Sequence, residues 1–269
     1  MIRLILLIIL FLASLLALFG APTRQLWIFA IAITEYPLIF VVITALITTG
    51  GFMKQRFQLG GTILGLITIV IFLSPVIRAY FIGKTLRAEM VTALGDKAIF
   101  PIENRPFLFG KFFSKSDHAV AFSSLTYVTY PGISLKLDYY PAQMHTKRPC
   151  IIVVHGGSWS SGNSDQLPEL NSYLAGIGYN VAAINYRLAP TYKNPAPLED
   201  VKAALSYLRK HANSLQIDTG RFVLLGRSAG AQVALLAAYT LHDPGIAGVI
   251  DFYGPADMVW GYSVPAKPL

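Results

Sequence analysis

Hydrophobic positions follow two regimes along this chain. Between Ile2 and Phe81 they form long, nearly unbroken runs. From Ser123 onward they form short runs and alternations, punctuated by Gly, Pro and polar residues. Three runs in the first regime, Ile2–Phe19, Leu26–Thr49 and Leu59–Phe81, come close to or exceed the about 20 apolar residues that a helix needs to cross a bilayer. The pattern predicts an all-α transmembrane region over residues 1–82 with about three helices, and hence a multi-pass membrane protein. The first run also has the charged start of a signal peptide in Arg3. Its exit, Leu18-Phe19-Gly20-Ala21-Pro22, offers no good small-x-small cleavage site, so an uncleaved anchor is expected. Glu35 interrupts the second run at a cost of roughly 2.5–3.5 kcal/mol on insertion scales. A carboxyl facing the bundle, or one near the interface beside Tyr36 and Pro37, is the simpler expectation than a proton or substrate site.

Residues 83–122 carry mixed charge, two prolines and a patch of Phe107, Phe109, Phe112 and Phe113. They read as a linker that begins with a short amphipathic helix near Lys84–Leu94 and then lies on the membrane surface. The Phe patch equally suits a lid or plain core.

In the second regime, Leu125–Tyr130 and Ser134–Tyr140 alternate around Pro131-Gly132, as the two strands of a hairpin do. Cys150–Val154, Asn180–Asn185, Phe222–Leu225 and Ile246–Phe252 read as short buried strands. Leu167–Ala175, Pro197–His211 and Ala229–Tyr239 carry apolar residues at helical spacing. Strands alternating with helices predict an α/β domain over residues 123–269, with a mostly parallel sheet and helices on both faces.

Composition agrees with a membrane part joined to a soluble part. Charged residues make up only 13% of the chain, against about 25% in ordinary globular proteins, and the mean hydropathy is +0.52. Only Glu35 among the acidic residues precedes Glu89. The net charge of +8 does not point to nucleic acid, because the basic residues form no helix face and no aromatic-basic interleaving. Arg3, Arg24, Lys54, Arg56, Arg78, Lys84 and Arg87 flank the apolar runs, where they suit anionic lipid headgroups. They fall almost evenly on the two sides of a three-span topology, so they fix no orientation. The single cysteine, Cys150, can form no internal disulfide and is expected to be a small buried hydrophobe.

The strongest chemical signal is Gly226-Arg227-Ser228-Ala229-Gly230, a G-x-S-x-G set between a strand and an Ala/Leu-rich helix. A sharp strand-to-helix turn brings backbone against backbone, so small residues are needed on both sides, and the turn lifts the serine hydroxyl into the open. Ser228 is therefore the candidate nucleophile. A second signal, His155-Gly156-Gly157-Ser158-Trp159, follows the Cys150–Val154 strand directly. Acyl transfer builds negative charge on the carbonyl oxygen, and a fixed donor there contributes about 10²–10³ in rate. Gly156, Gly157 and Ala229 are the candidate oxyanion-hole donors. His155 is expected to orient the loop rather than act as the base, and Asp200 to be a structural carboxylate.

Four segments in order carry a family resemblance. They are Leu135-Lys136-Leu137-Asp138-Tyr139-Tyr140-Pro141, the His155–Trp159 loop, Asn185-Tyr186-Arg187-Leu188-Ala189-Pro190 and the serine elbow. Over residues 123–262 the chain resembles the α/β-hydrolase superfamily, near hormone-sensitive-lipase-like and BD-FAE-like carboxylesterases and lipases. The resemblance implies a serine carboxylic-ester hydrolase that needs no cofactor or metal, with a small-molecule or lipidic ester as substrate. It also implies that Tyr186 and Arg187 shape the pocket rim. Ser158 stands where hormone-sensitive-lipase-like enzymes have a third glycine. In this family the acid and the histidine follow the serine in sequence. Here the only histidine after Ser228 is His242, and Asp251 and Asp257 are the only candidate acids, Asp257 being the weak choice. The 269 residues are therefore expected to be an inactive or C-terminally incomplete form, with Ile246–Phe252 as a bare edge strand. The alternative is a non-catalytic α/β-hydrolase-like binding or structural membrane protein.

Overall fold

The computed structural model describes residues 2–50, 58–95, 120–144, 146–255 and 258. The chain divides into two compact units, Met1–Ser114 and Lys115–Leu269.

The first unit is helical. Helix α1 (Ile2–Ser14) ends in a single 3₁₀ turn at Leu15–Ala17, and α2 (Arg24–Glu35) starts where the Thr23 hydroxyl accepts the Leu26 N–H at 3.3 Å. Helix α3 spans Pro37–Thr49 and α4 spans Gln58–Leu94. The three apolar runs correspond to α1 with its 3₁₀ turn, to α2 with α3, and to α4. Only α4 is by itself long and apolar enough to cross a membrane among the described residues. The second run is broken into α2 and α3, which meet at 85°. Pro37 explains the break: proline lacks an N–H and pushes the preceding residue out of the helical region, and Tyr36 sits at φ −120°, ψ 45°. Glu35 lies exposed at this corner. The amphipathic helix expected at Lys84–Leu94 is no separate element but the last three turns of α4, which runs on through Pro75. The Phe107–Phe113 patch falls outside the described residues.

Hydrogen-bonding side chains tie these helices together. A helix leaves its last four carbonyls without partners. The Arg3 guanidinium donates to Ile47 O at 3.1 Å and Thr48 O at 2.9 Å, at the end of α3, and to Thr62 Oγ1 of α4 at 2.9 Å. Arg78 of α4 donates to Ala17 O at the end of the 3₁₀ turn. Phe72 and Ile33 are fully buried, and Phe72 stacks on Phe40 with ring centroids 5.2 Å apart.

The second unit is a six-stranded mixed sheet in the order β1-β2-β4-β3-β5-β6, with β1 at Ser123–Tyr130, β2 at Ile133–Tyr140, β3 at Arg148–Val154, β4 at Asn180–Ile184, β5 at Ile217–Arg227 and β6 at Ile246–Phe252. The two-residue turn Pro131-Gly132, with Gly132 at φ 81°, closes the β1–β2 hairpin. Strands β4, β3, β5 and β6 run parallel, and β2 joins β4 antiparallel. Helices α5 (Pro168–Gly176), α6 (Ala196–Lys210) and α7 (Ala229–Thr240) follow β3, β4 and β5. Strands β3 and β4 read as continuous apolar runs because both faces are covered. Leu137, Ile152, Ile184, Leu205, Leu208 and Leu224 are at most 1% exposed. A second, smaller cluster holds Ile151, Val153, Ala175, Val181 and Leu225. Cys150 lies fully buried in the larger core, as expected, and burial pushes its thiol well above the usual range. Strand β6 is only half covered, with Ile250 40% and Phe252 44% exposed.

Candidate active site

Strand β5 ends at Arg227 and α7 begins at Ala229, so Ser228 alone makes the corner. It sits at φ 51°, ψ −123°, a backbone conformation that costs a non-glycine residue on the order of 1–3 kcal/mol. Its neighbours hold it there. The Ser228 N–H donates to Phe252 O at 2.9 Å, continuing the β5–β6 ladder, and its C=O accepts the Ala231 and Gln232 N–H groups at 3.0 and 3.3 Å. The backbone is thus committed, while the side chain is only half-buried and outside the packed core.

The two flanking glycines are required by space. A Cβ on Gly226 would lie 2.4 Å from Ala231 Cα, and one on Gly230 would lie 2.2 Å from Val154 O and 2.3 Å from His155 O. These obstacles are backbone atoms, which cannot swing aside.

The loop after β3 comes up against the elbow. A Cβ on Gly156 would stand 3.0 Å from Arg227 O and 3.4 Å from Ser228 Cβ. Gly157 turns the chain at φ 128°, and Ser158 and Trp159 continue in the left-handed region at 52° and 60°. The Gly157 carbonyl accepts the Ser160 and Ser161 N–H groups, both at 3.0 Å, which closes the turn. Trp159 Nε1 donates to Gln232 Oε1 of α7 at 3.1 Å. Among the described residues the N–H groups of Gly157 and Ala229 meet no protein acceptor, whereas the Gly156 N–H donates to Gln166 Oε1 at 3.2 Å. The structure brings Ser228, Gly156, Gly157 and Ala229 together, with the Gly156 amide already engaged.

His155 lies at the root of this loop, 2% exposed. Its Nδ1 donates to Gly156 O at 2.8 Å, and its ring stacks on Tyr186 with centroids 4.3 Å apart. Burial lowers its pKa below the usual histidine value, so the ring stays neutral. Tyr186, expected at the pocket rim, is instead 3% exposed beneath the loop, and its hydroxyl donates to His155 O. Arg187 is drawn to Asp200 and Glu199 rather than to open space. Asp200 is fully buried, accepting from Tyr130 Oη at 2.9 Å, Arg187 N at 2.8 Å and Arg187 Nε at 2.9 Å.

Among the described residues no histidine hydrogen-bonds the Ser228 side chain. His211 closes α6 and its Nδ1 meets Tyr207 O. His242 follows the far end of α7, about 18 Å along the helix at 1.5 Å per residue. His118 and His145 lie outside the described residues, as does Asp257. Asp251 is exposed and accepts the Gly254 N–H at 2.7 Å.

A parallel-sheet core with a strained serine on a strand-to-helix elbow, faced by a glycine loop from the neighbouring strand, defines the α/β-hydrolase class of fold. Sequence comparison with known proteins points the same way. The BD-FAE family model matches residues 137–266. Carboxylesterase NlhH of Mycobacterium tuberculosis is 32% identical over 108 residues, which cover 40% of this chain and 34% of that protein. Lipase 2 of a Moraxella species is 35% identical over 136 residues, covering 48% of this chain and 31% of the relative. Among solved structures, a bacterial heroin esterase overlaps 61% of this chain and 47% of its own, with 26% identity and a TM-score of 0.45. The match spans about a third of the length of these curated relatives. Residues 137–266 of this chain are thus similar to the BD-FAE family and to curated esterases and lipases.

Sequence reasoning missed Arg227, Gln166 and Gln232 as parts of the site. Arg227 stood inside the motif as a variable position. The two glutamines are ordinary polar residues with no motif to single them out.

Proposed function

We propose that the protein is a membrane-anchored serine esterase whose nucleophile is Ser228. The observation that carries this reading is the strained, half-buried Ser228 with Gly156 packed against it. In the proposed reaction the Ser228 oxygen attacks an ester carbonyl carbon and gives up its proton to a base. The carbonyl oxygen becomes an oxyanion beside the free N–H groups of Gly157 and Ala229. Collapse of the tetrahedral intermediate expels the alcohol, and water then releases the acid. The substrate class is a small-molecule or lipidic ester. Anchoring is supported by α4, whose 37 residues extend about 55 Å at 1.5 Å per residue, and by its exposed Leu59, Val70 and Phe81.

Among the described residues no histidine hydrogen-bonds Ser228, which favours one second reading: a non-catalytic binding protein on the same scaffold. Fluorophosphonate labelling of membranes separates the two. The protein is expected to label, and its Ser228→Ala variant is not. Equal labelling of the protein and its Ser228→Ala variant overturns the esterase reading.

A further inference from the structure

An oxyanion loop made of two glycines has a weakness: neither glycine has a side chain to anchor it, and glycine has the most backbone freedom to lose. Rate acceleration by such a loop depends on its donors being fixed before the reaction. Something outside the loop must therefore hold it.

Gln166, in the segment leading to α5, grips one residue of the loop by both of its backbone polar groups. Its Oε1 accepts the Gly156 N–H at 3.2 Å, and its Nε2 donates to the Gly156 carbonyl at 3.4 Å. Its own backbone carbonyl accepts from Arg227 Nη2 at 3.2 Å. Arg227 immediately precedes the nucleophile and is 7% exposed. One residue thus links the glycine loop to the serine elbow. Space has been left for this grip. Gly162 adopts φ 98°, and a Cβ there would stand 2.4 Å from Gly156 O and 2.9 Å from Gln166 Nε2.

We propose that Gln166 is a positioning residue, which takes up both polar groups of Gly156 and so commits the amides of Gly157 and Ala229 to the oxyanion. The inference rests on the serine-esterase reading for its catalytic meaning, but the clasp itself is a separate physical claim. It makes two amides one residue apart behave differently: the Gly156 N–H is bonded, and the Gly157 N–H is free.

The test is residue-resolved hydrogen exchange on the full chain in detergent micelles, comparing wild type with Gln166→Met and Gln166→Glu. Methionine keeps the length and loses both hydrogen bonds; glutamate keeps the acceptor. In wild type the Gly156 amide is expected to exchange at least about tenfold more slowly than that of Gly157. Gln166→Met is expected to remove that difference while β3 and β5 stay protected, and Gln166→Glu to restore it. Equal exchange at the two glycines in wild type overturns the proposal, as does unchanged Gly156 protection in Gln166→Met. If Gln166→Met loses protection throughout the sheet, Gln166→Glu decides: a folded glutamate variant without Gly156 protection also overturns it. Fluorophosphonate labelling of the same chain supplies the functional arm, with an expected drop of about tenfold or more in Gln166→Met. Undiminished labelling there leaves Gln166 without a positioning role. Failure of wild type to label removes the esterase reading alone, and the exchange result still stands or falls by itself.

Discussion

The two units of this chain bury opposite things. In the helical unit Leu46, Leu59 and Phe81 are 67%, 75% and 62% exposed, while Ser14, Thr44 and Thr68 are fully buried. In the α/β unit Leu137, Ile152 and Leu224 are fully buried, and the solvent face carries residues such as Lys136. The hydrophobic effect arranges the second unit in the usual way. The first unit leaves a wide apolar surface uncovered, which in soluble proteins marks an interaction site. Its buried hydroxyls do not knit one helix to the next. Thr44 donates to Phe40 O at 2.7 Å and Thr68 to Leu64 O at 2.8 Å, each within its own helix. The polar bonds between elements are made by Arg3 and Arg78 instead. In the α/β unit, by contrast, buried polar groups bridge elements, as Asp200 of α6 does to Tyr130 of β1 and to Arg187. Interior polarity is therefore local in one unit and long-range in the other.

Four substitutions test that contrast, in descending order of expected effect. Gly230→Val drives a branched side chain into the Val154 and His155 carbonyls. It should unfold the α/β unit, costing more than about 3 kcal/mol, while far-UV circular dichroism keeps the signal of the helical unit. Loss of both units together would show that they are not energetically separate. Asp200→Ala leaves Arg187 without its buried partner and should cost about 3 kcal/mol, measured as a lower urea midpoint for the near-UV signal of the α/β unit. A cost below about 1 kcal/mol would mean that the long-range network is dispensable. Ser228→Gly relieves the positive φ and should raise the stability of that unit by about 1 kcal/mol while abolishing fluorophosphonate labelling. A variant no more stable than wild type would mean that the elbow stores no strain. Thr68→Val replaces a hydroxyl that only serves its own helix and should change thermal stability by less than about 0.5 kcal/mol. A large loss there would reveal a bridging role that the geometry does not contain.

The elbow was legible in the sequence because its physics is local. Gly226, Ser228 and Gly230 lie within five residues, and the strand before and the helix after are set by apolar pattern. The Pro131-Gly132 hairpin was legible for the same reason. The corner at Tyr36 could have been read from Pro37, but the apolar run from Leu26 to Thr49 outweighed a single breaker. Strand β5 begins at Ile217, earlier than the Phe222–Leu225 run suggests, because Asp218-Thr219-Gly220 has the composition of a turn. The buried position of Tyr186 was hidden as well, since a tyrosine suits a pocket rim and a core equally.

Sequence by itself determined the two regimes of the chain, the α/β alternation, the serine on its elbow and the glycine loop that faces it, because periodicity and backbone sterics act over a few residues. Tertiary structure alone decided which loop amide is free, where His155 and His211 find their partners, and that Gln166 and Arg227 join the loop to the elbow. Those facts depend on residues 10 to 70 positions apart meeting through the sheet, and no local pattern encodes a distance between them.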